Sequence, residues 1–369
     1  MENNFKKKQI KCIVAGGKTG GHLIPGIAVY RVLKEKGFDV RYILNSTDVK
    51  FPVVKNIEEA DRIFLDISSI SRKFSLKTFI DLFKIFVAFL KIFGKIFKFN
   101  PDFIVITGGY ISNPVALSSI ILFKPLYILE QNSVAGITNR FYSFFAKKIF
   151  TSFERTLKIP EKKAIYTGNP ILYNEKIDKS SARKFFGIEN YDKVVGIMSG
   201  SQGAKVVNNF ILQILDFLKE NNIGVIWSLG AVEYERLKDF DFSEYPNVKI
   251  YPFIERMDYF YSAIDLVISR AGATSISEIV FFEVLSLFIP IKNSPDNHQE
   301  LNAKSLVEKN VARMIFEDQL TAQILIDNIV DLLNNLYFYK NNFNNFQKMN
   351  KLPQNKIVEE IMMEEKWQF

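Results

Sequence analysis

The chain has only two histidines, and one of them, His22, ends the glycine-rich part of the stretch CIVAGGKTGGHLIP, Cys12–Pro25. Imidazole is the side chain that titrates nearest neutrality, which makes His22 a candidate general base. The residues before it supply the rest of a site. Ile13 and Val14 end an apolar run, and Gly16, Gly17, Gly20 and Gly21 permit a sharp turn whose backbone can approach a ligand closely before a helix begins. The first N–H groups of that helix, with its dipole, favour an anionic or oxyanionic guest. An ordinary doubly wound α/β domain also opens on such a turn, so the loop alone fits either role.

Three further turns follow apolar runs and precede helical patterns: Thr107-Gly108-Gly109-Tyr110, Ser199-Gly200-Ser201-Gln202-Gly203-Ala204 and Ser269-Arg270-Ala271-Gly272-Ala273-Thr274-Ser275. In the last, Arg270 can pair with a phosphate and Thr274 or Ser275 can cap the helix. Glu278, about one turn inside, suits the two hydroxyls of a ribose, although a glutamate stabilised by the helix dipole gives the same pattern. Sharper signatures fail. A nucleoside triphosphatase loop needs glycine where Cys12 stands, and Gly17-x-x-Gly20 does not space as a dinucleotide fingerprint, although Asp39 mimics its acidic partner; a nicotinamide enzyme is a weak rival. No His, Cys and carboxylate run has metal-ligand spacing, and Asp239-Phe240-Asp241 lies in a polar connection away from the glycine turns.

Such turns need parallel strands to carry them. The first half reads as Ile10–Ala15, helix Ile24–Lys36, Asp39–Leu44, Asp61–Ile67, helix Leu76–Lys98, then short runs Phe103–Thr107, Val115–Ile121 and Leu126–Leu129, and helix Ile137–Ala146. A second round starts near Tyr191, with strands Val194–Met198, Val225–Leu229, Val248–Tyr251, Leu266–Ser269 and Ser286–Ile289 separated by helices, and Leu320 onward reads as helices alone. The pattern predicts an α/β chain of two Rossmann-like domains that face a shared cleft, with the join near Gly168-Asn169-Pro170. The expected boundaries are 1–168, 169–335 and a helical segment 336–369 packing back on the N-terminal domain. A length of 369 residues with 48% hydrophobic content supports two cores. The formal charge of +8 suits an anionic partner, and Cys12 alone cannot form an internal disulfide, which fits a reducing cytoplasm. Residues 1–11 are polar and basic, unlike a signal peptide or anchor.

The stretches AGGKTGGHLIPG, TGGYIS, EQNSVAGITN, TGNPI, GSQGAKVVN, SRAGATSISE and DNHQELNA, in this order, resemble the bacterial MurG family of peptidoglycan glycosyltransferases. The resemblance implies a GT-B fold and inverting transfer of N-acetylglucosamine from UDP-N-acetylglucosamine to undecaprenyl-pyrophosphoryl-N-acetylmuramoyl-pentapeptide, lipid I to lipid II. It implies no metal, no cofactor and no nucleic-acid partner, and a peripheral place on an anionic membrane surface at the cytoplasmic face. Carried over by position, Thr19, His22, Tyr110, Glu130 and Asn132 line the acceptor side. Ser201, Phe253, Ile254, Arg270, Glu278, Gln299 and Asn302 fall on the donor side, which Thr19, Gly20, Gly21 and Asn132 also reach. Three positions depart from the family pattern: Lys18 where glycine is usual, Leu129 where many members have histidine, and Leu172 where many have arginine. The first implies a different bend or an added charge beside a pyrophosphate, the others a loss of polar groups from the cleft.

The run Phe79–Phe99 reads as a helix with Asp81, Lys84, Lys91, Lys95 and Lys98 on a narrow stripe and Phe, Ile, Leu and Val elsewhere. Its apolar stretches are too short to span a bilayer, so we expect an inner face in the core and an outer face on lipid, through Phe79, Phe83, Phe86, Lys84, Lys91 and Lys95. In the implied reaction His22 assists the acceptor hydroxyl or binds its pyrophosphate, with Glu130 the other candidate to carry the proton. Alternatives are a transferase with another lipid acceptor, a UDP-sugar epimerase, and a membrane scaffold without catalysis.

Overall fold

A computed structural model describes residues 9–67, 76–200, 204–292, 294–343 and 351–367, with side chains in the helix Leu76–Phe99 described from residue 86 onward. The chain forms two compact units, residues 1–172 with 351–369 and residues 173–350.

The first unit holds a parallel sheet of β1 (Lys11–Ala15), β2 (Asp39–Leu44), β3 (Arg62–Phe64), β4 (Phe103–Ile106), β5 (Leu126–Glu130), β6 (Lys148–Thr151) and β7 (Ala164–Tyr166), in the order β3-β2-β1-β4-β5-β6-β7. The second holds β8 (Lys193–Met198), β9 (Ile223–Ser228), β10 (Val248–Tyr251), β11 (Leu266–Ser269), β12 (Leu285–Phe288) and β13 (Ala312–Met314), in the order β10-β9-β8-β11-β12-β13. The central strands are buried along their whole length because helices cover both faces, and this explains why their sequences are continuous apolar runs rather than alternating ones. Strand order reverses between β1 and β4 and again between β8 and β11. The four glycine turns follow these four strands, at the switch points where ligands of open α/β sheets bind.

Three expectations change. Val115–Ile121 is not a strand but part of the helix Ser112–Ile121, the crossover that two parallel neighbours such as β4 and β5 require. The join lies after Leu172. The helix Leu336–Phe343 belongs to the second unit, where Tyr339 is buried with Leu332 and Leu333 in the core.

The helix Pro353–Glu364 does belong to the first unit. Its Ile357, Val358 and Ile361 are wholly buried among Val14, Phe38, Phe103 and Tyr127, and Trp367 lies 5.3 Å from the Phe103 ring. Tyr127 and Lys147 both reach Glu365, at 2.5 and 2.8 Å, and Lys356 donates to the Tyr166 carbonyl at 2.8 Å. Ile361→Ala removes buried methylene groups from a packed core, so we expect a loss of about 2–4 kcal/mol in the urea unfolding transition of the first unit.

Candidate functional site

At the switch point of the first unit, packing forces the glycines. A Cβ on Gly16 would lie 1.9 Å from Thr107 Oγ1, and one on Gly17 would lie 2.2 Å from Asp48 Oδ2. The loop after β1 is therefore pressed against the loop after β4 on one side and the buried Asp48 on the other. His22 lies in the first turn of the helix Gly20–Glu35, half-buried, with its N–H on the Thr19 carbonyl at 3.1 Å. Thr19 itself is exposed, and its hydroxyl makes no capping bond.

The orientation of the His22 ring follows from its partners. Nδ1 lies 2.8 Å from the Thr107 carbonyl and 3.2 Å from Gln131 Oε1. The Gln131 Nε2 donates to the Leu129 carbonyl at 2.9 Å, which leaves its oxygen facing the imidazole. Both neighbours of Nδ1 are acceptors, so Nδ1 carries the hydrogen and Nε2 carries the lone pair. Enclosure lowers the His22 pKa against the opposing pull of these two hydrogen bonds, which favours the neutral ring. A Cβ on Gly109 would stand 3.5 Å from Nε2, so the bare backbone there, at φ +75°, keeps this nitrogen clear.

The other first-unit candidates divide by what they touch. Tyr110 is half-buried, with its ring under the Lys18 ammonium, 4.7 Å away. Glu130 is buried and accepts from Asn132 N at 2.9 Å, Gly136 N at 3.1 Å and Asn139 Nδ2 at 2.8 Å. Burial raises its pKa while these donors oppose the rise. Its oxygens shape the loop from Gln131 to Gly136, an arrangement suited to holding Asn132 in place rather than to moving a proton. Leu129 and Leu172 pack with the hydrophobic core and its fringe, so their apolar character does not strip polar groups from this cluster. Gln131 and Asp48 carry no motif of their own in the sequence, and Thr107 figures there only as the first residue of a glycine turn. Gln131 lies between Glu130 and Asn132 in the stretch EQNSVAGITN.

In the second unit the turn after β11 leads into the helix Ala273–Phe282, capped by Gly272 rather than by Thr274 or Ser275. The first turn of this helix carries no acidic side chain, and Ser269 Oγ and Thr274 Oγ1 are buried without a hydrogen-bond partner. Glu278 is buried and accepts from Tyr261 Oη at 3.1 Å; burial pushes its pKa up to about 8. Arg270 is held by the Ile289 carbonyl at 2.8 Å and by Glu317, so its guanidinium braces the sheet edge and is not free for a phosphate. Asn302 is buried and donates to the Ala271 carbonyl at 3.2 Å, while Gln299 accepts from Ile291 N at 3.0 Å. Beyond β10, Phe253 is exposed and Ile254 is buried. Ser201 lies outside the described residues. Among those described, no group of three or more His, Cys, Asp or Glu is placed to hold a metal ion.

Residues 12–151 match the glycosyltransferase family 28 N-terminal domain, and residues 194–361 match the glycosyltransferase family 28 C-terminal domain. Both halves of the chain thus have the make-up of a family 28 glycosyltransferase. A relative from Flavobacterium psychrophilum, named UDP-N-acetylglucosamine--N-acetylmuramyl-(pentapeptide) pyrophosphoryl-undecaprenol N-acetylglucosamine transferase, is 35% identical over 321 residues, 86% of this chain and 87% of its own. A relative of the same name from Pediococcus pentosaceus is 34% identical over 329 residues, 88% of this chain and 91% of its own. The chain belongs to this transferase family, the MurG family. Its fold is similar to that of Acinetobacter baumannii MurG, with a TM-score of 0.74 at 24% identity, over 96% of this chain and 99% of that one.

The raised pKa of Glu278 has a consequence for stability. The native state keeps a proton that an exposed glutamate in the unfolded chain, titrating near 4.5, has already lost. Its contribution is complete below that pH and is lost as pH climbs toward and through about 8. Relative to the wild type, Glu278→Gln should gain stability across this window by up to about 1.4 kcal/mol per pH unit. Urea unfolding of both proteins at pH 5, 6.5 and 8 measures it; a constant difference would place the proton elsewhere.

Proposed function

We propose that this chain transfers N-acetylglucosamine from UDP-N-acetylglucosamine to the muramoyl sugar of an undecaprenyl-diphosphate-linked pentapeptide, the reaction for which its relatives are named. The observation that supports a catalytic role most directly is His22: a neutral imidazole in a glycine turn at a switch point, with Nδ1 tied and Nε2 clear. In this reading Nε2 accepts the proton of the acceptor hydroxyl while that oxygen attacks the anomeric carbon from the face opposite the diphosphate. The bond from carbon to the diphosphate oxygen breaks, configuration inverts, and UDP leaves. The N-terminus of the helix Ala273–Phe282, free of acidic side chains, stabilises the charge developing on UDP, and Glu278 holds the ribose hydroxyls. Tyr110, Thr19 and Asn132 border the acceptor side; Phe253 and Ile254 offer a wall to the uracil.

Acceptor entry calls for lipid, and the first unit has a surface to meet it. On the helix Leu76–Phe99, Ala88, Ile92 and Ile96 are buried, whereas Phe86, Leu90 and Phe97 are exposed beside exposed Lys91 and Lys95. Phe79, Phe83 and Lys84 lie outside the described side chains. Phe123, 93% exposed, and Phe141 and Phe144 add to the apolar surface of the same unit. Aromatic rings beside lysines fit an interface with anionic lipid, and no described helix is long and apolar enough to cross a membrane. We place the protein peripherally, at the cytoplasmic face.

Release of UDP only when the lipid-linked muramoyl acceptor is present tests the reaction; release without it, or with it absent from the product, rejects the assignment. His22→Ala should lower kcat by roughly 10²–10⁴ with donor binding retained, and the acid limb of the kcat/KM profile should vanish. Lys91→Glu with Lys95→Glu should reduce sedimentation with phosphatidylglycerol vesicles, more so at low salt, while leaving UDP affinity unchanged.

A further inference from the structure

Lys18 occupies the one position of the turn Gly16–Gly21 whose backbone lies in the left-handed region, at φ +76°. None of the four glycines around it does. A lysine is strained there and a glycine would not be, so the fold alone gives no reason for this side chain. The turn accommodates it by a bond from the Lys18 N–H to Asp48 Oδ1 at 2.9 Å, and Asp48 is itself anchored by Asn45 N at 2.9 Å. The carboxylate therefore serves the backbone of the turn, and it is absent from the ion pairs of the ammonium. Lys18 is exposed, and among the described residues its Nζ has no carboxylate partner. It rests instead over the face of Tyr110, 4.7 Å from the ring centre. A cation on an aromatic face keeps its charge available to an anion approaching from the other side.

Position narrows the anion. Lys18 stands four residues before His22, in the same turn, on the unit that carries the exposed apolar surface. The donor diphosphate already has a place at the helix Ala273–Phe282 of the other unit. Resting on the reading above, we propose that Lys18 is a specificity-determining cation that binds the diphosphate of the lipid-linked acceptor, and that Tyr110 positions its ammonium. Without this charge the turn offers the same diphosphate neutral donors, its backbone N–H groups and the Thr19 hydroxyl, so the lysine adds a charge-assisted contact at the cost of local strain.

The test separates that role from mere tolerance of a strained residue. Lys18→Gly, Lys18→Gln and Lys18→Arg are assayed with saturating UDP-N-acetylglucosamine and varied lipid-linked acceptor. The Gly and Gln variants should raise acceptor KM about tenfold, with kcat within about twofold and UDP affinity unchanged, and Arg should keep the wild-type KM. Lys18→Gly should also raise the Tm, because it removes the left-handed strain while losing the contact. Unchanged acceptor KM in both neutral variants, with a raised Tm in Lys18→Gly, overturns the proposal. Calorimetry with inorganic pyrophosphate, on protein saturated with UDP, reads the site without turnover. Binding by the wild type that falls at least about fivefold in Lys18→Gln supports the cation site even if the acceptor assignment fails, and equal binding by the two proteins overturns it.

Discussion

The contact between the loop after β1 and the loop after β4 is the constraint on which the first unit's site depends. β1 and β4 are neighbours only because strand order reverses between them, and this brings the Thr107 carbonyl within 2.8 Å of the His22 ring. A side chain at Gly16 would drive the loops apart, since its Cβ would fall on the Thr107 hydroxyl. On the opposite edge of the imidazole the bare backbone at Gly109 leaves room beside Nε2, where a Cβ would stand 3.5 Å away. Glycine here is less a matter of general flexibility than of two loops sharing space that only one of them can fill. Once they meet, the tautomer of His22 is fixed by oxygen atoms that belong to a neighbouring strand end and to Gln131.

Three buried carboxylates show how differently burial can be balanced. Glu130 is surrounded by backbone and amide donors that select its loop conformation. Asp48 receives the N–H groups of Lys18 and Asn45, tying the segment after β2 to the glycine turn after its neighbour β1. Glu278 has the Tyr261 hydroxyl, and burial pushes its pKa up to about 8. A carboxyl with so few internal donors retains acceptor capacity that a ligand's hydroxyl groups can use, whereas the other two have committed theirs to the protein.

Much of this was legible in the sequence because apolar runs punctuated by glycine identify parallel strands and the turns that follow them. The seven ordered motifs identified the family, and His22 stood out by scarcity. What the sequence concealed was mostly direction. Leu129 precedes Glu130 and Gln131 in the chain, yet the two-residue period of β5 turns it with Tyr127 into the core beneath the last helix. Arg270 lies in a glycine turn, but Glu317, 47 residues on, claims its guanidinium. Val115–Ile121 is apolar enough to pass for a buried strand, and only the demand for a crossover between β4 and β5 makes it a helix. Gln131 gains its meaning from a contact 109 residues away in the chain, its amide oxygen against the His22 imidazole.

The return of residues 351–367 to the first unit orders events during synthesis. Val14, Phe38 and Phe103 leave the ribosome well before Ile357, Val358, Ile361 and Trp367, which pack against them. Until residues 351–367 are made, that face of the first sheet has only part of its native cover, from the helix Gly20–Glu35 through Leu23, Ile27 and Leu33, while the second unit, whose core lies within residues 173–350, already has the residues that form it. The unit whose strands are made earlier is therefore completed later, and a nascent chain stalled before the helix Pro353–Glu364 leaves part of an apolar sheet face open to chaperones and to aggregation.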